Sequence, residues 1–291
     1  MTGCTGSGPG WAFFGGGDKY DVKDFRKGVK ELDISFQKNA PPDEVYEEES
    51  LNINLELKNN GAYEITDGVA KVTTIGDLIS LDESPKNFQL EGRSNVNPNG
   101  EKEVLQLSAS VGDLDKLMPG TSEHDVPVVA RSCYLYQTKA DMEVCIDTHP
   151  ENEEGKACNV EDQTSSGQGA PVAVTKLETE MIPSGNQIKP SFKIKIDNKG
   201  DGTVLHPNYY DATCTGGAGE DIFETVFVNA RLDNYNLDCK PSQIKLSEDA
   251  EVTCSTTMPT NQPTYKTHLQ ITLDYGYMNS LKKTITVKAK P

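Results

Sequence analysis

The chain has 291 residues, 35% of them hydrophobic and 25% charged, with a formal net charge of -17 and a pI near 4.7. That length suits two cores of ordinary size, since single domains usually hold about 100 to 150 residues. The acidic surface repels phosphate backbones, so no nucleic-acid partner is expected, and no run approaches the roughly 18 to 20 apolar residues of a membrane-spanning helix.

Residues 1–24 open with MTGCTGSGPGWAFFGGG and read as a Gly-rich attachment tail. Burying one aromatic side chain is worth roughly 1.5 to 3 kcal/mol, so Trp11, Phe13 and Phe14 need cover. A lipid headgroup zone beside an acylated Cys4, the chain's own first domain, or a groove on the next molecule would each supply it. The reading adopted is self-association: the tail packs along an adjacent subunit, adding a strand to an open sheet edge, so that copies join head to tail. Cys4, Trp11, Phe13 and Phe14 are the candidate attachment and assembly residues, and membrane contact is expected only through a lipid on Cys4. Met-Thr-Gly is too short for the apolar region of a secretory signal, so none is expected within these residues; if a signal existed, it has been removed or omitted.

Residues 25–150 read as a first sandwich. The acidic run DEVYEEE at 43–49 is a solvated edge, since charge blunts unwanted strand pairing. LNINLEL at 51–57 alternates apolar and polar residues, the mark of a half-buried strand. Asn59-Asn60-Gly61 and Pro98-Asn99-Gly100 supply turns, and a short helix is expected at 113–118, ahead of Pro119-Gly120. The segment YLYQTKADMEVCI at 134–146 is read as a hairpin with a three-residue loop at 138–140 that turns Tyr134, Tyr136, Val144 and Ile146 to the core.

An acidic, Ser- and Gly-rich linker at 151–169, within the loop-like stretch 148–169, leads to a second sandwich at 170–291 that begins with PVAV. FKIKI at 192–196 and LQITLDY at 269–275 alternate as strands, and Asn198-Lys199-Gly200 with Asp201-Gly202 supplies turns. YGYMNSLKKTITV at 275–287 repeats the length and apolar register of the 134–146 segment 141 positions later, with Tyr275, Tyr277, Ile285 and Val287 inward. Residues 51–61 match 190–200 at an offset of 139. Two matches at nearly one offset argue for tandem copies. The expected fold is all-β: two tandem immunoglobulin-like β-sandwiches behind an extended N-terminal tail.

Of seven cysteines, six fall in the later part of the chain. No C-x-x-C or Cys/His cluster invites zinc, so Cys133, Cys145, Cys158, Cys214, Cys239 and Cys254 are disulfide candidates and the compartment is oxidising. Cys145 has two rival partners, Cys133 across the expected hairpin and Cys158 across the acidic loop. Cys239 pairs with Cys254, which leaves Cys214 for whichever first-domain cysteine remains.

Catalytic chemistry finds little material. His124, His149, His206 and His268 are scattered, and neither H-E-x-x-H nor G-x-S-x-G occurs. Gly6, Gly8 and Gly10 neither follow a strand nor open a helix, which argues against a phosphate cradle. No cofactor is expected. Asp197 and Asp201, in the turn DNKGDG, are candidate calcium ligands, although the spacing departs from the EF-hand pattern.

Thr2-Gly3-Cys4 resembles the end of a lipobox. The segments ISFQKNAPPDEVYEEESLNINLELKNNGA, GQGAPVAVTKLE and LDYGYMNSLKKTITV resemble uncharacterised archaeal cell-surface, lipoprotein-like proteins with tandem adhesion-type immunoglobulin-like domains. The resemblance implies an extracellular, cell-surface location and a role in adhesion or assembly, with no catalytic residues. The expected function is a non-enzymatic structural or adhesive surface protein, a filament subunit joined through its tail. The alternative is a lipid-anchored module that takes a solute or glycan in a loop cluster such as Tyr209-Tyr210-Asp211 or residues 215–221.

Overall fold

Apolar residues at every second position, punctuated by Gly, Asn and Pro, dictate strands, and strands dominate the computed structural model, which describes residues 25–82, 84–152, 154–217, 219, 222–246 and 250–291. Cys4, Trp11, Phe13 and Phe14 lie outside these residues. In chain order the strands are β1 (Leu32–Phe36), β2 (Glu44–Tyr46), β3 (Ser50–Asn59), β4 (Ile65–Thr74), β5 (Ile79–Leu81), β6 (Lys86–Leu90), β7 (Lys102–Val111), β8 (Glu123–Ile146), β9 (Gln163–Thr164) and β10 (Val172–Ser184). They continue with β11 (Gln187–Asn198), β12 (Thr203–Leu205), β13 (Thr225–Leu232), β14 (Tyr235–Asn236), β15 (Asp238–Lys240), β16 (Gln243–Lys245), β17 (Glu251–Ser255), β18 (Met258–Pro259) and β19 (Tyr265–Lys288). The helical elements named among the described residues are α1 (Leu114–Leu117), a 3-10 turn (Pro207–Tyr209) and α2 (Ala212–Thr215). Asp113 caps α1, its Oδ1 accepting from the Lys116 N–H at 2.9 Å, within the helix expected at 113–118.

β8 and β19 organise the molecule. Each is 24 residues long, and they pair antiparallel without a break from Glu123 opposite Lys288 to Ile146 opposite Tyr265. The two hairpins expected at 134–146 and 275–287 therefore do not form. The physical reason lies in parity. Val126, Val128, Ala130, Tyr134, Tyr136, Thr138, Ala140, Met142, Val144 and Ile146 are all even-numbered and all buried, as a straight strand requires. The proposed loop, Thr138-Lys139-Ala140, contains no residue that favours a turn.

A nine-stranded sheet is built on this pair, in the order β14-β13-β19-β8-β4-β6, with β2 and β12 also pairing β19 and β16 pairing β13. Residues 25–150 and 170–291, expected as separate sandwiches, thus share their largest sheet. A four-stranded sheet, β1-β3-β7-β5, lies beside β4 and β6 in the N-terminal half. A six-stranded sheet, β15-β17-β11-β10-β9 with β18 on β11, lies beside β13 in the C-terminal half. One continuous apolar cluster, from Ile53, Leu55 and Leu57 through Val128 and Tyr134 to Ile194 and Ile271, joins all three sheets.

The stretch expected as a linker is tied down. β9 pairs with Leu177 and Lys176 of β10, and the buried Gln168 side chain bonds both the N–H and the carbonyl of Val174 at 3.0 Å. Three of the five acids in the run at 43–49 are ion-paired, Asp43, Glu44 and Glu48 to Lys283, Lys288 and Lys290.

Candidate functional site

The two sequence signals that recur, Asn-x-Gly and Tyr-x-Tyr, meet in space. In the N-terminal half Asn59 Oδ1 accepts from the Gly61 N–H (3.0 Å) and from the Tyr136 hydroxyl (3.5 Å), and Asn59 Nδ2 donates to the Tyr63 carbonyl (2.8 Å). In the C-terminal half Asn198 Oδ1 accepts from the Gly200 N–H (3.2 Å) and from the Tyr277 hydroxyl (3.2 Å), and Asn198 Nδ2 donates to the Gly202 carbonyl (2.9 Å). Each tyrosine hydroxyl also accepts a backbone N–H, from Tyr63 and Gly202 respectively. The glycine is required by space: a Cβ on Gly61 would run into the Tyr136 hydroxyl, and one on Gly200 into that of Tyr277. Each residue of the second node lies 139 or 141 positions after its counterpart.

The remaining tyrosines of the pair lock the halves across the β8–β19 seam. Tyr134 donates to Asn279 Oδ1 at 3.0 Å, while the Tyr275 hydroxyl meets Thr138 Oγ1 at 2.9 Å, and Thr138 in turn donates to the Val172 carbonyl at 2.7 Å. Tyr134 stands opposite Tyr277 and Tyr136 opposite Tyr275, with ring centroids 5.9 and 6.2 Å apart. Burial pushes all four phenols well above their ordinary value, because an ionised phenolate has no solvent there.

On the opposite face of the same seam lies an open groove of about 680 Å³. Leu135, Gln137, Lys139 and Asp274 line it from β8 and β19; Tyr63 and Arg93 stand on one side and Asn208 on the other. Tyr63 closes the free edge of β8, its hydroxyl donating to the Lys139 carbonyl (2.9 Å) and accepting the Lys139 N–H (3.1 Å). Burial pushes this phenol up as well. Arg93 donates through Nε to the Pro98 carbonyl (3.0 Å), with its guanidinium 5.4 Å from the Phe25 ring centroid. Gln137 donates to Asp274 Oδ1 at 2.5 Å. Mixed charges, amides and one half-buried aromatic ring suit a neutral, hydroxyl-rich ligand. None of these groups forms a nucleophile–base pair.

The sequence-derived candidates are distributed as follows. Cys133 bonds Cys214, Cys145 bonds Cys158 and Cys239 bonds Cys254. A Cys133–Cys145 bridge is ruled out, because both residues lie on β8, 12 positions and about 40 Å apart at ~3.3 Å per residue. Three disulfides mark an oxidising compartment, and among the described residues no helix is long and apolar enough to cross a membrane. Asp197 accepts from Thr175 Oγ1 at 2.5 Å and lies 4.0 Å from Lys199 Nζ, while the backbone N–H of Asp201 donates to Glu31. Among the described residues no group of three or more His, Cys, Asp or Glu side chains is placed to hold a metal.

The histidines remain apart. His149 meets Thr148, His268 meets Asp141, and His206 caps the 3-10 turn. Burial, then the Lys245 charge, pushes the His206 imidazole down. Of the candidate binding loop 209–211 no residue lines the groove: Tyr210 packs against the Cys133–Cys214 bridge and Tyr209 is exposed, while the preceding Pro207 and Asn208 reach the groove. Residues 218, 220 and 221 of the second loop lie outside the described residues. Tyr63, Arg93 and Lys139 have no sequence signature; only their convergence reveals them.

No family model matches the chain, and no curated protein matches it. Among solved structures it is similar to Spo0M, the sporulation control protein of Bacillus subtilis, at 11% identity over 67% of this chain and 85% of that one. The TM-score is 0.17, too loose a superposition to inform fold or function.

Proposed function

We propose that the protein is a non-enzymatic structural or adhesive component of a cell surface, built as tandem immunoglobulin-like units and self-associating through its N-terminal tail. The observation that carries this reading is the β8–β19 pair. Strands of 24 residues at ~3.3 Å per residue extend about 80 Å through both halves, and a load along them is shared by many backbone hydrogen bonds at once. The four-tyrosine lock and the Cys133–Cys214 bridge resist hinging at the middle. An exterior location follows the disulfides, and the resemblance to archaeal surface proteins agrees with it. Light scattering on protein lacking residues 1–17 tests the assembly: loss of large species is expected, and an unchanged particle size refutes it. Mass spectrometry of native protein tests the lipid on Cys4, where an unmodified thiol refutes the anchor.

The groove favours a second reading, a glycan- or solute-binding module. Thermal-shift screening against neutral oligosaccharides tests it, with binding expected to disappear in Tyr63→Ala; no shift with any ligand refutes it.

A further inference from the structure

The outer face of the nine-stranded sheet carries a like-charged cluster in its N-terminal half that has no counterpart among the described cross-strand contacts of the C-terminal half. In the C-terminal half Lys266 Nζ lies 2.7 Å from Glu143 across the strands, and His268 Nδ1 meets Asp141 Oδ1 at 2.7 Å. In the N-terminal half Lys71 of β4 stands directly opposite Arg131 of β8, an arrangement of like charges that weakens a sheet. Lys282 of β19 stands opposite Val129, diagonal to Arg131. The strand segments around them, 69–73, 129–133 and 278–284, contain no Asp or Glu. Lys71, Arg131 and Lys282 make no hydrogen bond or ion pair among the described residues. Acid-free strand segments with an adverse cross-strand pair, in a chain of net charge -17, are held ready for an anionic partner.

The same chain presents such a partner at its other end. The loop that leaves β8 after Ile146 exposes Glu151, Glu154 and Glu161, whose carboxylates make no bond among the described residues. This loop is braced before anything docks. Cys145 bonds Cys158, Lys156 Nζ holds Asp147 at 2.6 Å, and Thr148 Oγ1 donates to the Gln262 carbonyl at 2.7 Å. Little ordering entropy then opposes docking. The loop cannot reach its own cationic face: Arg131 and Ile146 are about 50 Å apart along β8 at ~3.3 Å per residue, and the disulfide anchors the loop at the far end.

We infer that the Lys71, Arg131 and Lys282 face receives the Glu151, Glu154 and Glu161 loop of a second copy of this chain. The contact joins unlike surfaces, so it repeats from copy to copy and gives the assembly a direction. It rests on the reading of the chain as a self-assembling subunit and assigns that assembly a second contact besides the tail.

Sedimentation velocity on the full chain tests the proposal. Association is expected to weaken at least about tenfold between roughly 0.1 M and 1 M NaCl, over which the Debye length falls from ~10 to ~3 Å. R131E/K282E and E151K/E154K/E161K should each fail to associate through this contact, while an equimolar mixture of the two re-forms the complex. Circular dichroism and melting check the fold. R131E removes the like-charge pair, so that variant should melt no lower than the parent. Salt-insensitive association, parent-like association of either variant, or no rescue on mixing would overturn the proposal. A parent that stays monomeric while its cationic face holds a sulfated polysaccharide column would also overturn it and assign the face to a polyanion. Loss of assembly on tail deletion with unaffected charge variants removes this contact alone. Charge-dependent association that survives tail deletion removes the tail reading alone.

Discussion

The two halves share one node and bury it differently. Asn59 is fully buried, and its amide reaches a second carbonyl, that of Leu90, at 3.2 Å; Asn198 is exposed, and its amide donates only to the Gly202 carbonyl of its own turn. At the position of the first node's Tyr63, which caps β8, the second node has Gly202, and there the chain goes on through β12 into the excursion of residues 206–224 that carries Cys214. The same asymmetry continues on the outer sheet face, where Lys266 pairs with Glu143 in the C-terminal half and Lys71 stands opposite Arg131 in the N-terminal half. A repeated set of bonds therefore fixes the backbone, while the residues around it decide which copy is sealed and which is available for contact.

The joint common to both halves gives the largest expected effect. The four buried phenols have folded-state pKa values raised above the ordinary 10.0. Their contribution is complete below pH 10 and is lost as pH rises toward the folded values, because only the unfolded chain can ionise. Stability should fall by about 1.4 kcal/mol per pH unit for each tyrosine. Urea unfolding between pH 9 and pH 11 measures this, and both halves should fail in one transition; two separate transitions would break the picture of a shared joint.

Disulfides sharpen the contrast next. By loop-closure entropy, replacing Cys133 and Cys214 by Ala, which opens a separation of 81 residues, should cost about 4.5 kcal/mol. Replacing Cys145 and Cys158, separated by 13, should cost about 3 kcal/mol. Denaturant midpoints of the two double variants give the comparison.

At the nodes, Asn59→Ala leaves buried carbonyls without donors and should cost about 2 to 4 kcal/mol, against about 1 kcal/mol for Asn198→Ala. Equal losses would show that burial does not distinguish the copies. The smallest effects belong to the outer face. Arg131→Glu should raise the melting temperature slightly by removing a like-charge pair, whereas Glu143→Lys, placed beside Lys266, should lower it slightly.

Much of this was legible from residue order. The alternation at 51–57 and 192–196, the inward tyrosines, the short helix at 113–118 and the offset of the repeats are local or periodic signals. The hairpins misread a pattern that is locally neutral: alternation shows which face is buried but not where the pairing strand comes from. The unbroken even parity of buried residues from 126 to 146 was the available clue. Cys133 could not be matched to Cys214 by spacing, because the excursion that delivers Cys214 folds back over the sheet. Tyr63 capping Lys139 and the meeting of Arg131 with Lys71 depend on contacts between residues distant in sequence, which no local pattern encodes.

Long strands that run through both halves at once also constrain how this chain can vary. Inserting or deleting a single residue near position 135 would turn Val144 and Ile146 outward and Glu143 and Cys145 inward, inverting one half while leaving the other intact. Length changes are thereby confined to the connecting loops, and β8 acts as a reading frame that both halves must share.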